Sequence, residues 1–489
     1  MAGIGFRLRR VTEEEGIWGL LVGYTTAAAI MAGPWILTIL TVGMVSFLGQ
    51  EMELFEAYIV YVYQASLLLV GFLQFPATRY LADLMFKRDY RGVYPAFNAT
   101  LLSGLGLSTL VGAAWAFTTP GPDPSGSEKL AVVGLLNIVS AQWISLIFLV
   151  TIHRYKAILA AFTTGGLVSI LWAVLSFGSN RTLISVVGFS MGQLITLAIL
   201  LAALMREFPA YERFDFGYWG WVGRSFSLPL AGFLFYLGSF ADKLVYRYAG
   251  FFTSKAHSGD LVLAPWLYLS YPYEVLTFLA QLTVIPALAV FYIKIETGFF
   301  EVYKAFYQTI DNRGSLSQLT YIRDRILEQL ITSARTVCAS QGVVTLLCIL
   351  VTPELFHFAV HSARDAQILR AGIVAAFFGI LVLMMLVIFL YFEFYQEACA
   401  VAGLYAFLNA GLTLLSLGLQ IQPEGLGAVL ASLLVSLFSA WLLWSRVNDL
   451  LYQTFSKSPV KTLPLGDEGL TGVGRFHFKK EGFKFDSPA

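Results

Sequence analysis

Two neighbouring apolar stretches carry ionisable groups that a bilayer does not tolerate facing lipid. Between Phe226 and Tyr292 the sequence sets Asp242-Lys243 and Arg247 in one long apolar run, and Tyr271-Pro-Tyr-Glu274, Phe278 and Gln281 in the next. Tyr271, Glu274, Phe278 and Gln281 recur at helical spacing, so one stripe presents a phenol, a carboxylate, a ring and an amide. Glu274 falls near the middle of its run, where an unpaired carboxylate costs several kcal/mol and by default marks a transport path. The alternative is a carboxyl neutralised by a proton or held by a structural hydrogen bond. Asp242 and Lys243 are placed about a turn from the outer end of their helix, where they either join that path or snorkel to the interface.

Other polar groups suggest the ends of such a path. Arg79 and Asp83, spaced i, i+4, sit at the inner end of an apolar run, and Glu393 and Glu397 lie at an aromatic turn. Together they form a possible cytoplasmic mouth; a local ion pair and an interfacial aromatic belt are the plainer readings. Gln64, Gln74, Asn137 and Gln142 are neutral and suit hydrogen bonds between helices. Chemistry of other kinds lacks its residues. There is no phosphate-binding Gly-rich loop, no HExxH and no GxSxG, and neither the five His nor Cys338, Cys348 and Cys399 show metal-ligand spacing. No cofactor, no metal and no enzymatic activity are expected.

The elements that must position these groups are membrane helices. The chain has 489 residues, 57% hydrophobic and 13% charged, with a mean hydropathy of +0.71, outside the range of soluble domains. About twelve apolar runs are long enough to span: Ile17 to Phe47, Ala57 to Leu84, Val93 to Phe117, Leu130 to Ile152, Ala157 to Phe177, Leu183 to Met205, Phe226 to Tyr246, Leu261 to Tyr292, Ile331 to Val351, Ile368 to Tyr391, Ala398 to Leu419 and Leu426 to Trp444. The first is read as a membrane helix rather than a cleaved signal. The fold class is therefore an all-α, polytopic membrane protein.

Lys and Arg concentrate in alternate loops, which by the positive-inside rule places both termini in the cytoplasm. Six runs precede the polar stretch 206–224 and six follow, each set opening with a Pro-containing helix at Pro34 or Pro229. The expected organisation is a six-helix lobe at 1–205, a linker at 206–224, a second lobe at 225–448 and a polar, mobile cytoplasmic tail at 449–489. Within the second lobe, residues 294–335 form a cytoplasmic insertion of two amphipathic helices. One carries Phe299, Tyr303 and Phe306 on a single face, as a docking surface or as packing; the other begins at a capping box of Ser315 and Gln318.

Several segments resemble one known family. Ala2-Gly-Ile-Gly-Phe-Arg-Leu-Arg, Thr78-Arg79-Tyr-Leu-Ala-Asp83-Leu-Met-Phe86, Tyr271-Pro-Tyr-Glu274 and Glu296-Thr-Gly-Phe-Phe-Glu-Val-Tyr-Lys-Ala-Phe-Tyr are similar to the PelG family of exopolysaccharide transporters, related to the multidrug and oligosaccharidyl-lipid flippases. The likeness reaches to about Arg446. It implies a V-shaped pair of six-helix bundles in the bacterial inner membrane, passing a polymer rich in N-acetylgalactosamine to the periplasm. The implied partners are the cytoplasmic glycosyltransferase PelF and the membrane proteins PelE and PelD, the last a sensor of cyclic di-GMP. Asp242-Lys243 also looks like an acidic-basic pair in the seventh helix of related flippases. Alternatives on the same fold are an ion-coupled exporter of small molecules, a flippase for lipid-linked sugars, or a scaffold that anchors the synthase.

Overall fold

The computed structural model describes residues 37–38, 40–45, 53–119, 124–151, 154–176, 182–208, 214–252, 260–264, 267–270, 273–352 and 362–456. Among them are eleven helices long and apolar enough to cross a membrane. The expected first span lies mostly outside the described residues, although 40–45 are helical, so about twelve spans stands. Pro34, Tyr271 and the tail from 457 onward also lie outside them.

The first five spans are α1 (Glu53–Phe86), α2 (Val93–Thr118), α3 (Gly126–Thr151), α4 (Tyr155–Leu175) and α5 (Thr182–Glu207). A short α6 (Trp219–Arg224) leads to α7 (Ser227–Phe252), a hairpin of β1 (Asp260–Ala264) and β2 (Leu267–Ser270), and a broken span made of α8 (Tyr273–Leu282) and α9 (Ile285–Lys294). Then come α10 (Phe300–Asp311), α11 (Leu316–Leu350), α12 (Ala363–Tyr391), α13 (Tyr395–Gly418), α14 (Leu426–Asn448) and α15 (Leu450–Ser456). Helices α1 to α5 pack on one another; α7, α8, α9 and α11 to α14 form a second group, and α1 against α7 is the main joint between them. The linker is fastened to the first group: Tyr80 donates to Asp215, and the fully buried Tyr218 donates to Ser103.

The structure departs from the sequence reading at four places. Within the expected eighth helix, residues 261–264 and 267–270 are instead strands of an antiparallel pair, with Leu261 opposite Leu269 and Val262 opposite Tyr268. A short apolar run has no periodicity that separates strand from helix, and Pro272 lacks the N–H to continue a helix from upstream. Glu274 therefore stands in the first turn of α8 and not at mid-helix. The seventh helix runs on to Phe252, which puts Asp242 about 15 Å from its end at 1.5 Å per residue, too deep to snorkel. Pro229 occupies the first turn of α7, where its missing N–H costs nothing, so it does not interrupt the helix.

The fourth departure concerns the insertion. Its second helix and the ninth span are one 35-residue helix, α11, opened by the Ser315–Gln318 capping box with both arms formed. The aromatic face expected to receive a partner is turned inward: Phe299 and Phe306 are fully buried. Phe299 packs edge-on against Tyr391 and Phe392, and Tyr303 donates to the Tyr391 carbonyl at 3.0 Å. As a docking surface this expectation is corrected, because aromatic area of this size gains more by closing the lobe's own core than by waiting in water. Burial also holds the Tyr303 and Tyr307 phenols above their ordinary pKa.

The α1–α7 joint depends on two glycines. A Cβ added to Gly232 would collide with the Gly71 carbonyl, and one added to Gly71 would lie 3.0 Å from the Gly232 carbonyl. Such backbone-to-backbone approach is the usual role of small residues between membrane helices. Gly232→Leu is expected to cost at least about 1–3 kcal/mol by overpacking, read as a lower melting temperature in detergent. Gly106→Leu, into open space, serves as the control that leaves melting unchanged.

Candidate translocation site

One face of α7 organises the polar interior. Ser239, Asp242, Lys243, Tyr246 and Arg247 recur at helical spacing along it, and Asp242 is 3%, Lys243 8% and Arg247 4% exposed. Asp242 meets Lys243 at 3.2 and 3.1 Å. The Tyr273 hydroxyl donates to its Oδ2 at 2.9 Å, and Asn409 Nδ2 donates to its Oδ1 at 3.2 Å and to the Gly238 carbonyl at 2.8 Å. Tyr246 stacks on Tyr273 with centroids 3.8 Å apart. Ser239, Asp242, Lys243, Tyr273 and Asn409 wall a cavity of about 20 Å³ together with Thr277, Gln281, Gly372 and Ala428. It has room for a water molecule or so and not for a sugar ring. All its walls come from α7, α8, α12, α13, α14 and Gly425, so Asp242, Lys243 and Gln281 look into the second bundle and not into the joint between bundles.

Glu274 and Arg247 stand at the joint itself. Arg247 Nε donates to Glu274 Oε1 at 2.9 Å and its Nη2 to Oε2, a bidentate pair, while Nη2 also reaches Gln64 Oε1 on α1 at 2.9 Å. The guanidinium lies 4.2 Å over the Tyr61 ring, also on α1. Glu274 is 4% exposed, so its carboxylate faces protein and not acyl chains. Bidentate geometry, a second acceptor and an aromatic face are what a buried guanidinium needs to offset its desolvation. Phe278, on the same stripe in sequence, is 37% exposed and points away.

The opposite end of the joint has its own clamp. Arg79 on α1 pairs with Glu393 in the turn between α12 and α13, and with Asp83 at 3.6 Å. Its guanidinium lies 5.1 Å over Trp221 of the linker helix, whose ring also faces Arg224 at 5.5 Å and the edge of Tyr395 at 6.5 Å. Glu393 adopts a left-handed backbone, φ 60°, a conformation that a non-glycine residue takes at some cost. Glu397 is elsewhere: it pairs with Arg446 at 3.0 Å and ties α13 to α14. Between the two clamps Tyr236 donates to Gln74 at 3.0 Å, beside the Gly71–Gly232 contact. The joint is closed by these polar contacts, by the two glycines, and by the rings of Phe75 beside Gly232 and Phe72 against Phe226.

Of the expected path residues, then, Glu274 is at the joint, Asp242, Lys243 and Gln281 are in the adjoining cavity, and Tyr271 is outside the described residues. Of the expected mouth residues, Arg79, Asp83 and Glu393 meet and Glu397 does not join them. Tyr273, Asn409 and Trp221 complete these clusters without having been singled out, and Arg247, noted in sequence only as a charge in its apolar run, proves to be the partner of Glu274. Asn409 is legible as a lone amide in an apolar run; the others become partners through contacts between elements distant in sequence, which no spacing reveals.

The fold is that of known transporters. A structure described as MATE in the bent conformation aligns over 93% of this chain and 100% of its own length, at 12% identity and a TM-score of 0.63. A transporter of the MOP superfamily from Pyrococcus furiosus aligns over 92% and 97%, at 12% identity and a TM-score of 0.59. An inward-facing multidrug resistance MATE transporter of the same superfamily aligns over 88% and 95%, at 12% identity and a TM-score of 0.55. No curated protein matches the sequence. The profile of the family described as "PelG: Putative exopolysaccharide Exporter (EPS-E)" matches residues 1–455. A profile that spans all eleven membrane-crossing helices described places the sequence as well as the fold, and the chain belongs to the PelG family.

Proposed function

We propose that this protein carries the Pel polysaccharide, rich in N-acetylgalactosamine, across the bacterial inner membrane through the joint between its two helix bundles, with both termini in the cytoplasm. The polymer comes from a cytoplasmic glycosyltransferase of the PelF type, with PelD and PelE as membrane partners. Membrane transport of polysaccharide is what the family and the transporter fold support together; the polymer, its source and the route are our reading. The observation that carries the route is the chemistry closing the joint. Beside the rings of Phe72, Phe75 and Phe226 at this seam, the two bundles meet through polar contacts that a sugar can exchange for its own: Arg247 with Gln64, Tyr236 with Gln74, and Arg79 with Glu393. Each such contact is worth roughly 1 kcal/mol net and is exchangeable for a bond to a sugar hydroxyl. Tyr61, Tyr236 and Trp221 add aromatic faces on which pyranose rings stack.

In this conformation both ends of the joint are clamped, so movement of polymer requires the clamps to open. At the end formed by Arg79 and Glu393, opening costs little, because these side chains are about a third and half exposed and ion pairs of that kind contribute at most about 1 kcal/mol. At the other end the contact across the joint is Arg247 with Gln64 and the Tyr61 ring; the buried Arg247–Glu274 pair behind it joins α7 to α8 within the second bundle and stays intact on opening, although removing either partner costs about 3–5 kcal/mol.

Two experiments follow. Arg79→Ala and Glu393→Ala, each at unchanged protein level, are expected to alter secreted polymer severalfold with little change in melting temperature. Wild-type secretion from both would remove this clamp from the route. Glu274→Gln leaves Arg247 half-paired and is expected to lower both melting temperature and secretion. The exchange Arg247→Glu with Glu274→Arg restores the pair between α7 and α8 but not the donor to Gln64, so stability should recover while export stays low. Full recovery of export would make the pair purely structural.

A further inference from the structure

We infer that Lys243 is a tethered counter-ion: its ammonium permanently fills the place beside Asp242 that an alkali-metal cation would otherwise take. Every acceptor position of the Asp242 carboxylate is used. Oδ1 takes Lys243 and Asn409, and Oδ2 takes Lys243 and Tyr273, which exhausts the roughly four lone-pair sites of a carboxylate. The ammonium is equally committed, to both carboxylate oxygens and to the Ser239 carbonyl at 3.4 Å. An alkali cation needs a shell of oxygen ligands, and here Asp242 faces N–H and O–H donors instead. The surrounding cavity otherwise offers the oxygens of a cation shell: Ser239, Thr277, Gln281 and Asn409 all line it. Removing the ammonium would leave a buried carboxylate among them, and such a group recruits a cation from solution.

The second embedded carboxylate, Glu274, is likewise neutralised by Arg247. The two clusters together carry no net charge, so moving the bundles displaces no fixed charge that an ion must balance. For transport, and resting on the function proposed above, the consequence is that the Asp242 site does not couple polymer movement to a sodium or potassium gradient.

The test is thermal unfolding of the purified full-length protein in nanodiscs, titrated with sodium, potassium or lithium chloride against choline chloride at constant ionic strength. The wild-type melting temperature is expected to be the same in all four salts. Lys243→Ala is expected to melt lower in choline and to regain about 2 °C or more, saturably, with one alkali cation; Lys243→Arg should behave as wild type. A saturable cation-specific rise in the wild type, or a Lys243→Ala protein blind to every cation, overturns the inference. Should Lys243→Ala fail to accumulate, the double variant with Asp242→Asn is expected to fold, since it removes the stranded carboxylate; a double variant no better than the single one also overturns it. No transport is measured, so a protein with these cation responses that moves no polymer would sink the proposed function and leave the tethered charge standing.

Discussion

A charge buried among membrane helices has to bring its own neutralisation, and the geometry around α7 follows from that constraint. Asp242 and Arg247 are little more than a turn apart on one helix, yet they are satisfied in different ways. Asp242 takes the adjacent Lys243 and then draws Tyr273 and Asn409 from two other helices. Arg247 has no neighbour in sequence to pair with and reaches Glu274 on α8 and Gln64 on α1. The first solution stays inside the second bundle; the second crosses into the first. Because desolvating either charge alone costs several kcal/mol, these partners fix where α8, α13 and α1 can stand.

The joint between bundles obeys a different rule. Leucines or phenylalanines at Gly71 and Gly232 would hold the helices apart, and the glycines let the backbones touch. Close approach maximises dispersion, so the joint is held by backbone contact, the rings of Phe72 and Phe75, and a few hydrogen bonds. The cores of the bundles, by contrast, are continuous apolar clusters that run from Ala231 to Leu450 in the second and from Val70 to Phe208 in the first. Rigid bundles with a joint that is polar and thin are the arrangement in which bundles can move as bodies.

The insertion gains a meaning from this layout. Its aromatic face supports the turn that carries Glu393: Phe299 packs on Tyr391 and Phe392, and the Tyr303 hydroxyl holds the Tyr391 carbonyl. The left-handed backbone at Glu393 is therefore over-determined by packing from below, and the side chain is aimed at Arg79 across the joint. Any force on α10 is transmitted to that clamp through packed rings and one hydrogen bond.

Much of this was written in the sequence. Hydropathy alone determined a polytopic helical protein, since a backbone in lipid must satisfy its own hydrogen bonds within each segment. Polar spacing singled out Glu274, Asp242, Lys243, Arg79 and Glu393, because charges in apolar runs are rare enough to be conspicuous, and local side-chain chemistry placed the cap at Ser315. What the sequence could not decide was partnership. Whether Glu274 was bare or paired depended on Arg247, 27 residues away, and whether Phe299 faced water or core depended on a turn beyond Tyr391. The hairpin at 260–270 was hidden for a related reason: a short apolar run satisfies strand and helix patterns alike until its neighbours are known. Periodicity reports which face of an element is apolar or charged; only the packing of elements remote in sequence decides what that face meets, because neutralisation and burial are properties of pairs.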